Sequence, residues 1–168
     1  MLTTFKKVLH DPVLFVRAAS SIMLRDYQVP VIRAVVESIF QQRGLSFVVM
    51  FPRQSGKNEL QAQLEVYLLM MFSQVTPGCD LVKVSPTWKP QSLNAMRRLE
   101  SVLKRNLFTR TLWQKESGYI YRVGDARITF LSGAPEANIV GATANTLLEV
   151  DEAQDVLVEK YDREIAPM

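Results

Sequence analysis

The segment Leu45-Ser-Phe-Val-Val-Met-Phe51, followed at once by Pro-Arg-Gln-Ser-Gly-Lys-Asn58, decides the fold class of this chain. Its first seven residues are an apolar run rich in β-forming side chains, which is typical of a strand buried on both faces of a sheet. A turn follows from Pro52 to Gly56, and a helix is expected from Lys57 to about Phe72. The stretch therefore predicts a strand, a tight loop and a helix in succession.

Helices and strands are predicted on both sides of this segment. One helix opens at Asp11-Pro12, and others cover residues 27–42 and about 91–106. Strands are expected at residues 80–85 and 146–150, and residues 119–123 and 127–131 form a hairpin around Gly124-Asp125. A last helix is expected from about Ala153. The alternation predicts a single α/β domain over residues 1–168, with a mainly parallel sheet flanked by helices and a β-hairpin insertion.

Composition excludes several classes of protein. The 168 residues are 48% hydrophobic and 22% charged, ordinary values for a folded chain. Cys79 is the only cysteine, which excludes an intramolecular disulfide and a multi-cysteine zinc site and fits a reducing compartment. No secretory signal opens the sequence, and the longest apolar-rich stretch, residues 64–72, is far shorter than the ~20 residues of a membrane-spanning helix. We therefore expect no membrane association.

Charge is distributed unevenly along the chain. The formal net charge is +3, yet residues 83–127 carry ten basic and three acidic groups, a balance of +7. Residues 128–168 carry two basic and eight acidic groups, a balance of −6. The basic middle segment fits either a polyanionic partner or a solvated helix surface with dispersed charges.

The loop 51–58 has the context of a phosphate-binding loop. Backbone N–H groups between a strand and a helix can point at phosphate oxygens, Gly56 permits close approach, and Lys57 can reach the β- and γ-phosphates. The segment departs from G-x-x-x-x-G-K-[ST] because Phe51 replaces the first glycine and Asn58 the hydroxyl residue. The Asn58 carbonyl can serve as a magnesium ligand, directly or through water. The alternative is an ordinary turn with an exposed lysine.

An acidic pair follows the last predicted strand. Asp151 is expected to hold Mg²⁺, and Glu152 to orient and deprotonate the attacking water. Open parallel sheets bind ligands at the carboxyl ends of their strands, so the pair should lie near Lys57, 94 residues earlier. Glu149, within the strand, is expected on the face nearer solvent. The alternative is a helix N-terminus that favours acidic residues.

Four segments resemble the large terminase subunit of tailed bacteriophages. Pro52-Arg-Gln-Ser-Gly-Lys-Asn-Glu59 resembles that family's deviant phosphate loop, and Leu148-Glu-Val-Asp-Glu-Ala-Gln154 its acidic motif. Leu24-Arg-Asp-Tyr-Gln28 is similar to its adenine-recognition segment, and Ile139-Val-Gly-Ala-Thr-Ala-Asn145 to the lead-in before the acidic strand. The resemblance spans about residues 20–155.

The resemblance implies a P-loop ATPase that drives double-stranded DNA into a viral procapsid, using ATP and Mg²⁺. It implies that Arg53 acts in cis on the γ-phosphate, as a catalytic residue beside Lys57 and Glu152, and that Asn58 and Asp151 hold the metal. The implied nucleotide-binding set is Tyr27, Gln28, Arg53, Gln54, Ser55, Gly56, Lys57 and Asn58. Implied partners are the portal protein and the small terminase subunit, with assembly into a homo-oligomeric ring in the cytoplasm of an infected bacterial host.

The family's coupling motif and nuclease domain do not occur in this sequence, so we expect a partial ATPase domain whose sheet lacks at least one strand. Duplex-contacting residues are predicted on the helix that carries Arg97, Arg98, Lys104 and Arg105; candidates for an arginine that acts across a ring are Arg110, Arg122 and Arg127. Two alternatives stay open: a superfamily 2 helicase-like translocase, and a non-catalytic nucleotide-binding module.

Overall fold

The computed structural model describes residues 2–75 and 78–168 and contains a five-stranded mixed sheet flanked by helices. The strands are β1 Asp80–Ser85, β2 Trp113–Glu116, β3 Ile120–Val123, β4 Ala126–Ser132 and β5 Leu147–Val150. Their order across the sheet is β2-β3-β4-β1-β5. Central strand β1 pairs in parallel with both β4 and β5, whereas β2, β3 and β4 are antiparallel neighbours.

Helices precede and follow the first strand of the sheet. They are α1 Leu2–His10, α2 Pro12–Ser20, α3 Val29–Phe40, α4 Lys57–Met71, α5 Leu93–Arg105 and α6 Val158–Lys160. Asp11 caps α2 as the sequence predicts, because its Oδ1 accepts hydrogen bonds from the backbone N–H groups of Val13 (2.8 Å) and Leu14 (3.3 Å). A π-helical turn, Trp88–Ser92, leads into α5.

The two faces of the sheet are covered by different parts of the chain. The main core joins α2, α3, α4 and α5 to one face, with Tyr67 and Tyr121 among its fully buried side chains. A smaller cluster of Val82, Val84, Ile139, Val156 and Ile165 covers the other face with the C-terminal segment. Strand β1 is therefore buried on both sides, as expected for the centre of an α/β sheet.

The prediction of a strand at residues 45–51 is wrong. Within the described residues, the segment makes no backbone–backbone hydrogen bond, and its only backbone contact is from the Leu45 N–H to Ser38 Oγ (3.2 Å). Val48 is 91% exposed and Met50 is 89% exposed. Side-chain composition predicted a buried strand, but a strand forms only where a neighbour accepts its peptide groups.

The end of the chain also differs from prediction. In place of a long helix from Ala153, a 3₁₀ turn Ala153–Asp155 is followed by α6 and a π-helical turn Tyr161–Ile165. Glu152 adopts a left-handed conformation (φ +48°), which breaks the backbone before a regular helix starts. The hairpin of β3 and β4 is confirmed, and β2 extends it by one unpredicted strand. Among the described residues, no helix has the length and apolarity to cross a lipid bilayer.

Candidate functional site

Lys57 and the acidic pair meet at one edge of the sheet. Lys57 is the first residue of α4, while Asp151 and Glu152 directly follow β5. The Lys57 Nζ lies 3.0 Å from Asp151 Oδ1 and forms a second ion pair with the Glu152 carboxylate. The structure thus brings together the three residues that the sequence analysis placed at this edge.

The three groups hold one another in their charged forms. Burial lowers the pKa of Lys57, but its hydrogen bonds and ion pairs with Glu152 and Asp151 outweigh burial, so the pKa is raised. Burial raises the pKa of Asp151, whereas the positive charges of Lys57 and Lys83 more than compensate and lower it. The hydrogen bond from Lys57, helped by one from Gln154, lowers the pKa of Glu152. Both carboxylates are therefore ionised at neutral pH.

The loop before Lys57 is held by its carbonyl groups. The carbonyl oxygen of Ser55 accepts hydrogen bonds from the Tyr27 hydroxyl (2.7 Å) and the Gln28 side-chain amide (3.2 Å). Within the described part of the chain, the N–H groups of Gln54 and Gly56 make no hydrogen bond. They are available to a ligand, as are the N–H groups of the first turn of α4.

Gln28 holds the loop through hydrogen bonds to its backbone. Its amide also donates to the carbonyl oxygen of Gly56 (3.3 Å), and its Oε1 accepts from the Arg25 N–H (3.0 Å). Gln28 is 5% exposed, so this amide is committed to the backbone of the loop. That it reads an adenine base stays a prediction; the geometry gives it a positioning role.

An open cleft of about 440 Å³ lies beside the loop. Tyr27 forms one wall, with its ring edge-on to Phe51 at 5.4 Å between centroids. The Arg25 side chain, which sequence reasoning missed, lies 5.9 Å from the centre of the Tyr27 ring and donates to its hydroxyl (2.7 Å). The remaining lining residues are Met50, Pro52, Arg53, Gln54 and Ser55. The cleft combines aromatic surface with cationic groups.

Arg53 and Gln54 form the exposed rim of this cleft. Within the described residues Arg53 makes no ion pair, and the nearby Glu59 contacts Arg98 (3.1 Å) and Arg105 (3.5 Å). Gln54 has a left-handed backbone (φ +60°), which turns the chain sharply before Ser55. An unpaired guanidinium at the loop is thus free to approach an anion.

Asn58 is exposed and makes no hydrogen bond to the acidic pair among the described residues. It lines a second cleft, of about 350 Å³, with Asn94, Arg97, Arg98 and Ser101. Gln61, one turn further along α4, takes the place near the site that was expected for Asn58: its Nε2 is 3.4 Å from Asp151 Oδ1. The signal that would have found Gln61 is its spacing of four residues from Lys57.

The residues around Asp151 and Glu152 suit a hard cation. Asp151 and Glu152 supply carboxylate oxygens, and the Gln61 Oε1 is buried with no hydrogen-bond partner among the described residues. Oxygen ligands of this kind are what Mg²⁺ prefers. Asp151 and Gln61 are the residues that could hold such a cation, and metal binding by Asp151 stays a prediction.

Glu149 is not on a solvent-facing surface, so that expectation is wrong. Its side chain is 15% exposed and lies 3.4 Å from Lys83 Nζ, on β1. Burial raises the pKa of Glu149, against the opposing effect of Lys83. Because side chains alternate along a strand, Glu149 and Asp151 point to the same face.

The basic segment is largely neutralised within the fold. Besides the pairs of Arg98 and Arg105 with Glu59, Lys104 lies 3.5 Å from Glu100, and Arg122 lies 3.0 Å from Glu116. Arg127 pairs with Asp80. Arg97 and Arg110 are exposed and make no ion pair within the described residues.

Comparisons of the chain with protein families, with curated proteins and with solved structures found no match. Functional assignment therefore depends on the geometry and chemistry of the site itself.

Proposed function

We propose that this chain is an ATP-hydrolysing P-loop domain of the kind found in the large terminase subunit of tailed bacteriophages, which uses ATP and Mg²⁺ to move double-stranded DNA. One observation carries the proposal. Lys57, at the end of a loop with free N–H groups, lies 3.0 Å from Asp151 and forms an ion pair with Glu152. A phosphate-binding lysine beside two carboxylates is the arrangement that metal-assisted phosphoryl transfer needs.

Lys57 changes partners when nucleotide binds. Its ammonium group now neutralises Asp151 and Glu152, and the β- and γ-phosphates offer it an alternative set of oxygens. Its departure leaves the two carboxylates with surplus negative charge. Asp151 and Gln61 would hold Mg²⁺ at this point, and the metal would supply positive charge that stabilises the transferred phosphoryl group.

Glu152 accepts the proton of the attacking water. Its side chain is 38% exposed, and Lys57 and Gln154 lower its pKa, so the group is ionised and accepts a proton once Lys57 moves to the phosphates. Arg53, unpaired at the rim of the cleft, stabilises the charge that develops on the γ-phosphate. In comparable enzymes such an arginine contributes ~10³–10⁵ in rate.

The adenine base occupies the cleft lined by Tyr27 and Phe51. The Tyr27 ring is 43% exposed, which leaves aromatic surface for a base to stack on. Gln28 acts through the loop, because its amide already bonds to Ser55 and Gly56.

The polymer that the motor moves is duplex DNA. As the resemblance implies, copies of the chain assemble into a ring, and its partners are the portal protein and the small terminase subunit. The net charge of +7 over residues 83–127 supports a polyanionic partner. Because most of these groups are paired, the exposed and unpaired Arg97 and Arg110 are the leading phosphate contacts.

Titration with a fluorescent ATP analogue in the presence of Mg²⁺ tests the proposal. Lys57→Ala is expected to weaken binding by at least ten-fold, because the charge that holds the phosphates is gone. The matched control is Lys7→Ala, which removes the same charge from an exposed position on α1. Equal affinity in the two variants would reject the phosphate-loop assignment.

A binding-only module is the second candidate, favoured by the engagement of Glu152 with both Lys57 and Gln154. Steady-state ATP hydrolysis with and without duplex DNA separates the candidates. Turnover stimulated by DNA supports a packaging motor or a helicase-like translocase, whereas tight binding with no turnover supports the binding-only module.

A further inference from the structure

A polar ladder runs through the otherwise apolar interface between α4 and the sheet. On α4, Lys57, Gln61 and Glu65 are spaced four residues apart and so form one ridge. Lys57 and Gln61 contact Asp151, and Glu65 Oε1 accepts a hydrogen bond from Lys83 Nζ at 2.7 Å. Lys83 also reaches Glu149, on β5, at 3.4 Å.

The inner part of this ladder is deeply buried. The side chains of Glu65 and Lys83 are 1% and 3% exposed, and Glu149 is 15% exposed. Burial lowers the pKa of Lys83, but the carboxylates of Glu149 and Glu65 outweigh it and keep the amine charged. One ammonium group is therefore shared between the carboxylate of Glu65 and the carboxyl group of Glu149, whose pKa burial raises to about 8.

Stability alone does not account for this arrangement. Removing charges from water carries a large desolvation cost, and apolar replacements of similar volume are often as stable or more stable. Glu149 Oε2 is buried without a hydrogen-bond partner among the described residues, which adds to the cost. The three side chains join the helix that starts at Lys57, the central strand β1, and the strand β5, which Asp151 directly follows.

We propose that Lys83 is a positioning residue of the candidate nucleotide site, which with Glu65 and Glu149 fixes the first turn of α4 relative to Asp151. Apolar contacts are non-directional, whereas the hydrogen bonds from Lys83 to Glu65 and Glu149 define both the separation and the register of α4 and β5. This inference rests on the proposed function, because the geometry it maintains is that of Lys57 and Asp151.

The test compares three variants with the wild-type chain by Mg²⁺–ATP binding and thermal unfolding. The apolar variant Glu65→Leu/Lys83→Met/Glu149→Leu removes all three ionisable side chains, so no unpaired charge is left buried. Its Tm is expected to stay within a few degrees of the wild-type value. Its affinity for the ATP analogue is expected to fall about ten-fold, with a higher Mg²⁺ concentration needed for half-maximal binding.

Val102→Ala is the control for loss of stability, because Val102 is fully buried on α5, an element that carries none of the three ladder residues. It should lower Tm while leaving affinity and Mg²⁺ dependence unchanged. Lys83→Arg provides a second variant, since it keeps the charge but alters the reach and shape of the cationic group. It too is expected to weaken Mg²⁺–ATP binding.

Wild-type affinity and Mg²⁺ dependence in either ladder variant would overturn the inference while leaving the proposed function intact. A wild-type chain that binds no Mg²⁺–ATP, in parallel with Lys57→Ala, would instead overturn the proposed function and the inference with it.

Discussion

At the scale of single residues, Gly56 shows how tightly the loop is built. Its φ is +82°, and a Cβ added there would lie 2.9 Å from the Gln28 Nε2. Gly44, after α3, has a similar φ of +60° with nothing within 4 Å of an added Cβ. A substitution at Gly44 therefore introduces backbone strain alone, whereas one at Gly56 also displaces Gln28.

Gly56→Ala should therefore cost more than Gly44→Ala. The left-handed backbone alone costs ~1–2 kcal/mol for a residue with a Cβ. Gly56→Ala must in addition displace the amide that holds Ser55 and Gly56, so nucleotide affinity should fall as well as stability. Thermal unfolding and ATP-analogue titration of both variants measure the difference. Equal losses of stability and unchanged affinity would mean that Gln28 does not shape the loop.

Glu152→Gln should separate binding from hydrolysis. The amide is close in size to the carboxylate but cannot accept the proton of water, so turnover should fall ~10²–10⁴-fold. Nucleotide binding should persist, since Lys57 loses a competing partner. Asp151→Asn should instead raise the Mg²⁺ concentration that half-saturates binding. Normal hydrolysis by Glu152→Gln would assign the base to another residue.

Sequence reasoning found these residues unevenly. Lys57 begins α4, and Asp151 and Glu152 directly follow β5, so their meeting at one end of the sheet could be anticipated. Gln61 and Lys83 lie inside elements, where polar residues carry no motif and act only through contacts. The environment of Glu149 could not be predicted, because its partner Lys83 is 66 residues away and its own strand neighbours are apolar.

At the scale of elements, Glu100 joins α5 to the hairpin. Its Oε1 accepts hydrogen bonds from Lys115 Nζ (2.7 Å) and the Tyr121 hydroxyl (2.6 Å). These bonds lower the pKa of Glu100 below its ordinary value of 4.5. The folded state thus binds the proton less readily than the unfolded state.

Glu100→Gln should lower stability by about 1 kcal/mol at neutral pH, the usual contribution of partly exposed hydrogen-bonded charges. The difference from wild type should be full above pH 4.5 and shrink as the pH falls through the lowered pKa of the folded state. Denaturant unfolding at several pH values measures it. Glu159→Gln, at an exposed position, is the control; a difference that persists in acid would contradict the assignment.

The segment 45–51 gives a second prediction at this scale. Its peptide groups make no backbone–backbone hydrogen bond within the described residues, so the amides of residues 46–50 should exchange with solvent rapidly. The amides of β1, in the centre of the sheet, should be strongly protected. Hydrogen exchange measured by NMR compares them directly, and protection of residues 46–50 would mean that the segment is paired in solution.

Helix α4 and the hairpin could be predicted because their signals are local: a periodic pattern, or a turn dipeptide between β-forming runs. The strand at residues 45–51 could not be judged locally, since its formation depends on a partner elsewhere in the chain. Strand β5 lies at the edge of the sheet and pairs with β1, but not with residues 45–51, among the described residues. Composition alone therefore gave the wrong result for 45–51.

At the scale of the whole molecule, most of the positive charges of residues 83–127 are neutralised by ion pairs, and only a few are free to meet a partner. Arg98 and Arg105 share Glu59, whereas Arg97 is exposed without an ion pair among the described residues. Counterion release on DNA binding depends on charges that are free to meet phosphates.

Arg97→Ala should therefore affect duplex binding more than Arg98→Ala. Each phosphate contact contributes roughly −0.9 to the slope of log K against log salt, so the slope should become shallower by about that amount for Arg97→Ala. Arg98→Ala should change it less, because Glu59 already neutralises that guanidinium. Binding to a duplex of random sequence across a salt series gives both slopes. An unchanged slope with lost assembly would move Arg97 to a subunit interface.

The central place of β1 also has a consequence for how the chain is made. Leu81 is paired with Leu147, which leaves the ribosome 66 residues later. At ordinary rates of synthesis this interval is roughly 3 to 13 s. During that time the apolar β1 and the buried face of α4 have no complete sheet to cover them, so the nascent chain is open to aggregation. The yield of soluble protein should therefore depend on translation speed and on chaperones that hold the growing chain, more than on the stability of the finished fold.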